Sequence, residues 1–310
     1  MSWLSNVETT GGRVVAPRRL VVTALSLTLI VASVVLSALT SPPASASSIA
    51  KASGAVNVLY AGSFLDLMER RIGPAFKKAT GYTISGFSAG SSALATEIKG
   101  GTQVGDVFIS ASPTVDTTLQ GMANGNWVSS YQEFGRSPLV LGYNPSSKFV
   151  HLLKTQPWYN VVELPGFLLG RTDPSTDPKG VLAVDALTGV ALSYNKPALA
   201  PLASSTSNEF QETALVGDLQ AGQLDAGFFY GVEASAAHLK TVPVTGTGLA
   251  ADYAVAILKD APHLAGARAF VKFLLSKVGR KILSANGVSS FVPPLLFTSR
   301  ATSDTTTTTP

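Results

Sequence analysis

Two short stretches place a serine where backbone chemistry is concentrated. Ala61-Gly62-Ser63 follows the strand-like run Ala55–Tyr60, and Ala89-Gly90-Ser91 follows Tyr82–Phe87. In both, a strand ends, glycine comes next, and a helical pattern begins. Glycine lets a bound group approach the backbone, the hydroxyl donates, and the first turn of a helix carries unpaired N–H groups at its positive end. Neither turn contains Lys or Arg. This suits capture of a small dianion by neutral dipoles, although either serine alone is equally an ordinary N-cap. An overlapping pattern offers enzyme chemistry instead. Gly86-Phe87-Ser88-Ala89-Gly90 matches G-x-S-x-G, which would make Ser88 a hydrolase nucleophile with Asp218 or Asp225 as orienting acid and His238 or His263 as base. Against it, only one strand and one helix precede Ser88, and a Ser/Gly-rich turn produces the match easily.

The elements that must hold these turns follow from periodicity. Phe64, Met68, Ile72 and Phe76 recur one helical turn apart up to Thr80-Gly81, and Leu94 and Ile98 share a face before Gly100-Gly101. Asp106–Ser110 is a third strand, so the front of the chain reads βαβαβ with a parallel sheet whose strand ends open on one edge. Pro138–Tyr143, Asp225–Tyr230 and Tyr253–Leu258 are further strands. Val181–Leu192, Glu212–Leu219 and His263–Asn286 read as helical, and 151–180 is rich in Pro and Gly. No repeat of period 20–50 is visible. Asp106 reads as a strand-start residue, Trp127, Tyr131 and Trp158 as core or rim packing, and Arg70-Arg71 and Lys77-Lys78 as a solvated helix face.

Composition bounds the rest. The 310 residues are 45% apolar and 14% charged, enough for a sizeable core. A net charge of +4 is too small and too scattered for a nucleic-acid footprint. The absence of cysteine excludes disulfides, thiolate metal sites, cysteine nucleophiles and lipid attachment through cysteine. Three separated histidines leave little room for a His-rich metal site. Arg18-Arg19, the apolar run Leu20–Leu39 and Ala44-Ser45-Ala46 read as a secretory signal or, uncleaved, an N-terminal membrane anchor. Residues 47–54 read as a leader and 299–310 as a polar tail, which puts the working part outside the cytoplasm.

Several of these motifs together resemble the substrate-binding proteins of molybdate and tungstate ABC transporters. Ala61-Gly62-Ser63-Phe64, Gly90-Ser91-Ser92 and Gly105–Ala111 match the family's opening in order and spacing, and Arg136–Pro145 matches its first crossing between lobes. Gly170–Gly180 is similar to the D-P-x-x-D-P-x-G loop of its archaeal-type branch, and Gly222–Tyr230 to its G-x-x-D-x-x-f-x-Y strand. The resemblance implies a two-lobe α/β fold of the type II periplasmic-binding kind, with largely parallel sheets and the ligand between the lobes. Lobe one would comprise 55–138 and 247–298, and lobe two 139–246. It implies oxyanion contacts from Ser63, Ser91 (or Ser92), Asp177 and Tyr230. The carboxylate branch places a glutamate 18 residues before that tyrosine, which is Glu212 here. The chain departs from the family at Lys179, where a cysteine is usual, and at Val181-Leu182.

Two carboxylates beside a dianion repel it unless the ligand offers them something. Molybdenum or tungsten(VI) can expand from four to six oxygen ligands and take Asp177 and Glu212 as inner-sphere donors. Sulfate cannot. A phosphate site is the alternative, with a carboxylate accepting the HPO₄²⁻ proton, and a sulfate-type site is weighed with it. The expectation is a non-enzymatic, monomeric binding protein without a cofactor, whose partners are molybdate or tungstate and a membrane permease, with no nucleic acid.

Overall fold

The computed structural model describes residues 53–299. The expected signal or anchor at 1–46, and nearly all of the leader and tail, lie outside the described residues. Among the described residues ten strands are present: β1 Ala55–Ala61, β2 Thr83–Ala89, β3 Val107–Ser110, β4 Ser130–Tyr143, β5 Leu169–Thr172, β6 Glu209–Phe210, β7 Ala226–Tyr230, β8 Lys240–Pro243, β9 Ala250–Ile257 and β10 Ser289–Thr298. They form the path β2-β1-β3-β9-β4-β7-β5-β6, with β8 and β10 added on β4.

The path repeats one arrangement twice. β1 lies between β2 and β3 and is parallel to both, and β5 lies between β6 and β7 in the same way. Helices cover these parallel strands, as crossover connections require. The sheet as a whole is mixed rather than largely parallel, because β4, β8, β9 and β10 pair antiparallel. β4 carries the chain from one set to the other: Tyr131–Pro138 pair with β9, and Leu139–Tyr143 pair with β7. A strand that leaves one sheet and a strand that returns must run in opposite directions, which accounts for the antiparallel centre.

Two helical expectations resolve into broken helices. The segment after Ser63 passes through a 3₁₀ turn (Gly62–Phe64), one α-turn (Leu65–Leu67), a π-turn (Met68–Ile72) and an α-helix (Gly73–Thr80). Pro74 has no N–H to donate back, and the ladder widens ahead of it, with Gly73 N–H bonding Met68 O. Gly81, at φ 94°, ends the helix. The region 263–286 is two helices, Leu264–Leu274 and Lys277–Ala285, parted where Ser276 Oγ accepts from Gly279 N–H at 3.2 Å. β10, with two prolines, gives no strand signal in sequence; it is tolerated as an edge strand on β4 with a register shift between Ser290 and Leu295.

The structural assignments made for single residues agree with their surroundings. Asp106 is buried and accepts from Asn57 N–H at 2.7 Å and His263 N–H at 2.5 Å, which ties β1 and β3 to the helix at 264. Trp158 and Tyr131 are buried in the core, and Trp127 packs against it. Arg70, Arg71, Lys77 and Lys78 are exposed.

Asp116, just beyond β3, is a costly residue. It is fully buried, Ser110 Oγ donates to its Oδ2, and its Oδ1 has no partner. Burial pushes its carboxyl up to about 7, against a lowering by the Ser110 hydrogen bond. A raised folded pKa means the folded state holds a proton that the unfolded chain has released. Stability is therefore full below about 4 and lost as pH rises to about 7, at a cost approaching ~4 kcal/mol. Asp116→Asn removes that loss. It is expected to raise unfolding free energy by ~1–3 kcal/mol at pH 8 and by much less at pH 4.5, read from urea titrations at both values.

Candidate functional site

Four chain segments bring buried polar side chains to the ends of the parallel strands. The first is the β1 turn. Ser63 is buried, and its Oγ lies 3.0 Å from the Tyr253 hydroxyl of β9. The Gly62 and Ser63 N–H groups donate to Glu212 Oε2 and Oε1, each at 2.9 Å. The free donors that sequence suggested at this turn are thus held by a carboxylate from the first residue of the helix Glu212–Gln220. This is the anion preference of a helix start, met from within the chain.

The second segment is the β2 turn. Ser91 begins the helix Ser91–Lys99, is fully buried, and its Oγ accepts from Ala111 N–H at 3.0 Å. A hydroxyl that accepts one bond keeps its own hydrogen to donate. Ser92, the alternative, is only half-buried, and its carbonyl receives Thr96 Oγ1 at 3.0 Å.

The third is the loop ending in Asp177, the N-cap of the helix Pro178–Ser193, with proline in the first turn. Its Oδ1 accepts from Lys179 N–H at 3.0 Å, while Oδ2 is buried and makes no hydrogen bond within the protein. The loop is pressed onto the β2 turn: Ala93 N–H donates to Thr176 O at 3.0 Å, and a Cβ on Gly90 would fall on that same carbonyl. Gly180 packs as tightly on the Thr172 carbonyl. The fourth is the end of β7, where Tyr230 is fully buried with its hydroxyl unpartnered and its ring 6.1 Å from that of Tyr253.

Electrostatics ties these groups together. Burial raises the Asp177 carboxyl, and Lys179 counters it. Burial, followed by the Asp177 charge, holds Glu212 well above the ordinary carboxylate range. Burial alone would lower Lys179, but Glu233, Glu212 and Asp177 together raise it. Burial and the Asp177 charge keep the Tyr230 phenol protonated, so it can donate. A cleft of about 610 Å³ between residues 62–71 and the helices at 212–220 and 231–236 leads to Ser63, Glu212 and Glu233.

Residues 56–289 match the bacterial extracellular solute-binding protein family. The chain belongs to that family. As a solute-binding protein it is 31% identical over 252 residues to an uncharacterized solute-binding protein of Halobacterium salinarum, covering 72% of this chain and 81% of the relative. It is 26% identical over 224 residues to the molybdate/tungstate-binding protein WtpA of Pyrococcus abyssi, covering 56% of this chain and 65% of that one. Its fold is that of the Azotobacter vinelandii periplasmic molybdate-binding protein, with a TM-score of 0.57 at 20% identity over 75% of this chain and 98% of that chain. The family is an extracellular one, and among the described residues no helix is long and apolar enough to cross a membrane.

All five residues singled out in sequence lie around this cluster: Ser63 is joined to Glu212 through its backbone, Ser91 stands beside the Gly90–Thr176 contact, and Asp177, Glu212 and Tyr230 share one electrostatic environment. Three of the five hydrolase candidates are placed elsewhere in this solute-binding protein. Ser88 lies within β2, in register with Tyr60, rather than on a sharp turn. His263 Nδ1 is engaged by Asp106 at 3.0 Å, and Asp225 receives Ser147 Oγ at 2.5 Å and Leu168 N–H at 2.8 Å. Three cluster members escaped sequence reading. Glu233 looks like a first-turn residue of the short helix Gly231–Ala236. Tyr253 is separated from Ser63 by 190 positions. Lys179 stood out in sequence as a departure from the family's loop, without a site role, yet its side chain is fully buried.

Proposed function

We propose that this protein captures molybdate or tungstate outside the cytoplasm, between lobes formed by 55–138 with 247–298 and by 139–246, and delivers it as a monomer to an ABC permease, without catalysing a reaction. Export by a cleaved signal or a retained N-terminal anchor belongs to the same reading. The observation that carries it is the donor set. Asp177 Oδ2 and the Tyr230 hydroxyl are buried without hydrogen-bond partners in the cluster that contains Glu212. A buried unpartnered polar group costs ~1–3 kcal/mol, and a bound ligand is its natural compensation. Hydroxyls of Ser63, Ser91 and Tyr230 donate to oxyanion oxygens, while carboxylates cannot. Carboxylates accept a metal centre. Each carboxylate oxygen has two lone-pair sites, so the two N–H bonds to Glu212 leave sites for molybdenum or tungsten. The name of the Pyrococcus relative supports the same ligand.

Tungstate and molybdate at 100 times their Kd are expected to stabilise the protein by ~2.7 kcal/mol, a rise in Tm of roughly 5–10 °C, with sulfate giving none. Thermal melts with the four oxyanions test this. Equal shifts with sulfate would remove the coordinating role of Asp177 and Glu212, and a phosphate shift without a tungstate shift would select the phosphate reading.

A further inference from the structure

Lys179 is the residue on which the cluster's charge turns. Its ammonium lies 2.9 and 2.8 Å from the two oxygens of Glu233 and 3.8 Å from Glu212 Oε1. The rings of Phe229 and Tyr230 flank it at 5.6 and 5.9 Å. Glu233 already neutralises the lysine with both of its oxygens, so pairing alone gives no reason for a third charged group nearby. The third group is Glu212, the carboxylate that grips Gly62 and Ser63 across 149 or more positions of chain. Lys179 therefore touches both the loop helix and the carboxylate that bridges to the β1 turn.

We propose, resting on the oxyanion reading above, that Lys179 is a positioning residue of the site, whose buried ammonium holds Glu212 against the β1 turn. The ammonium acts through Glu212. It brings that carboxylate's oxygens to two backbone N–H groups and so fixes which lone pairs remain for the ligand.

The test separates this role from simple partnership with Glu233. Lys179→Met alone would strand a buried Glu233 charge and confound binding with folding. The double substitution Lys179→Met/Glu233→Gln removes the pair together and leaves the cluster near its original net charge. Calorimetric titration with sodium tungstate is expected to show Kd raised at least ~30-fold in the double variant, with an unliganded Tm close to that of the wild type. Glu233→Gln, which keeps the lysine, is expected to bind tungstate at least as tightly as the wild type. Wild-type affinity in the double variant, or a 30-fold loss in Glu233→Gln, would overturn the role of Lys179. Absence of tungstate binding by the wild-type protein would overturn the oxyanion reading itself.

Discussion

Glu212→Gln is expected to weaken tungstate binding by ~2–4 kcal/mol, on the scale of breaking one partner of a buried charged contact. Two losses combine. The amide is a poorer donor to a hexavalent metal and no longer contributes charge to it. It also presents an NH₂ group to one of two backbone N–H groups, Gly62 or Ser63, which now both donate to the carboxylate at 2.9 Å. One of those bonds is replaced by two donors facing each other. A carboxylate that merely stood near the ligand would give the opposite sign, because its removal relieves repulsion of the incoming dianion and should let sulfate in as well. Calorimetry with tungstate and sulfate reads the sign. X-ray absorption at the tungsten edge reads the cause, since six oxygen neighbours require protein donors and four do not. A four-coordinate ion, with a Glu212→Gln variant that binds no worse, would end the inner-sphere reading and leave the serine turns as the basis of anion binding.

Gly90→Ala is the second large effect. Gly90 has φ −56° and ψ 135°, open to any residue, so the substitution brings no backbone strain. Its new Cβ would nevertheless fall on the Thr176 carbonyl oxygen, 2.9 Å from the carbonyl carbon and 3.1 Å from Asp177 Cβ. Backbone cannot rotate away. The β2 turn and the Asp177 loop must separate, and the Ala93 N–H bond to Thr176 O goes with them. Overpacking of this kind costs ~1–3 kcal/mol. Because the clash lies between the turn of Ser91 and the loop of Asp177, the cost should fall on ligand binding, raising Kd for tungstate by up to about 100-fold. Because the contact is present without ligand, unliganded Tm should fall as well, by roughly 2–12 °C. Affinity equal to the wild type would show that these two segments need not touch in the ligand-bound protein.

Local chemistry made much of the fold and candidate site legible. Alternation and helical spacing marked β1, β2, β3, β7 and the helices at 91, 178 and 212, and Gly-Ser turns marked where the strands end. The repeated sheet arrangement was legible only through the resemblance to a known family, because β1–β2–β3 and β5–β6–β7 share geometry without sharing sequence. The π-turn at Met68–Ile72 escaped because apolar spacing continues through it. Lys179 and Glu233 escaped because a charge in a polar loop or first helical turn is ordinarily solvated, and only packing against Phe229 and Tyr230 removes the water.

By itself, the sequence determined the α/β class, the order of elements and the two Gly-Ser turns with Ser63 and Ser91, since each of these is set by neighbours a few positions away, whereas Asp177, Glu212 and Tyr230 came from the resemblance to a known family. Only the tertiary structure decided that Glu212 grips the Gly62 and Ser63 amides, that Ser63 meets Tyr253, and that Lys179 is buried between two glutamates. Those partners lie from 33 to 190 positions apart. Their pairing depends on which strands lie side by side and how closely glycines 62 and 90 let the segments approach, and no local pattern encodes that.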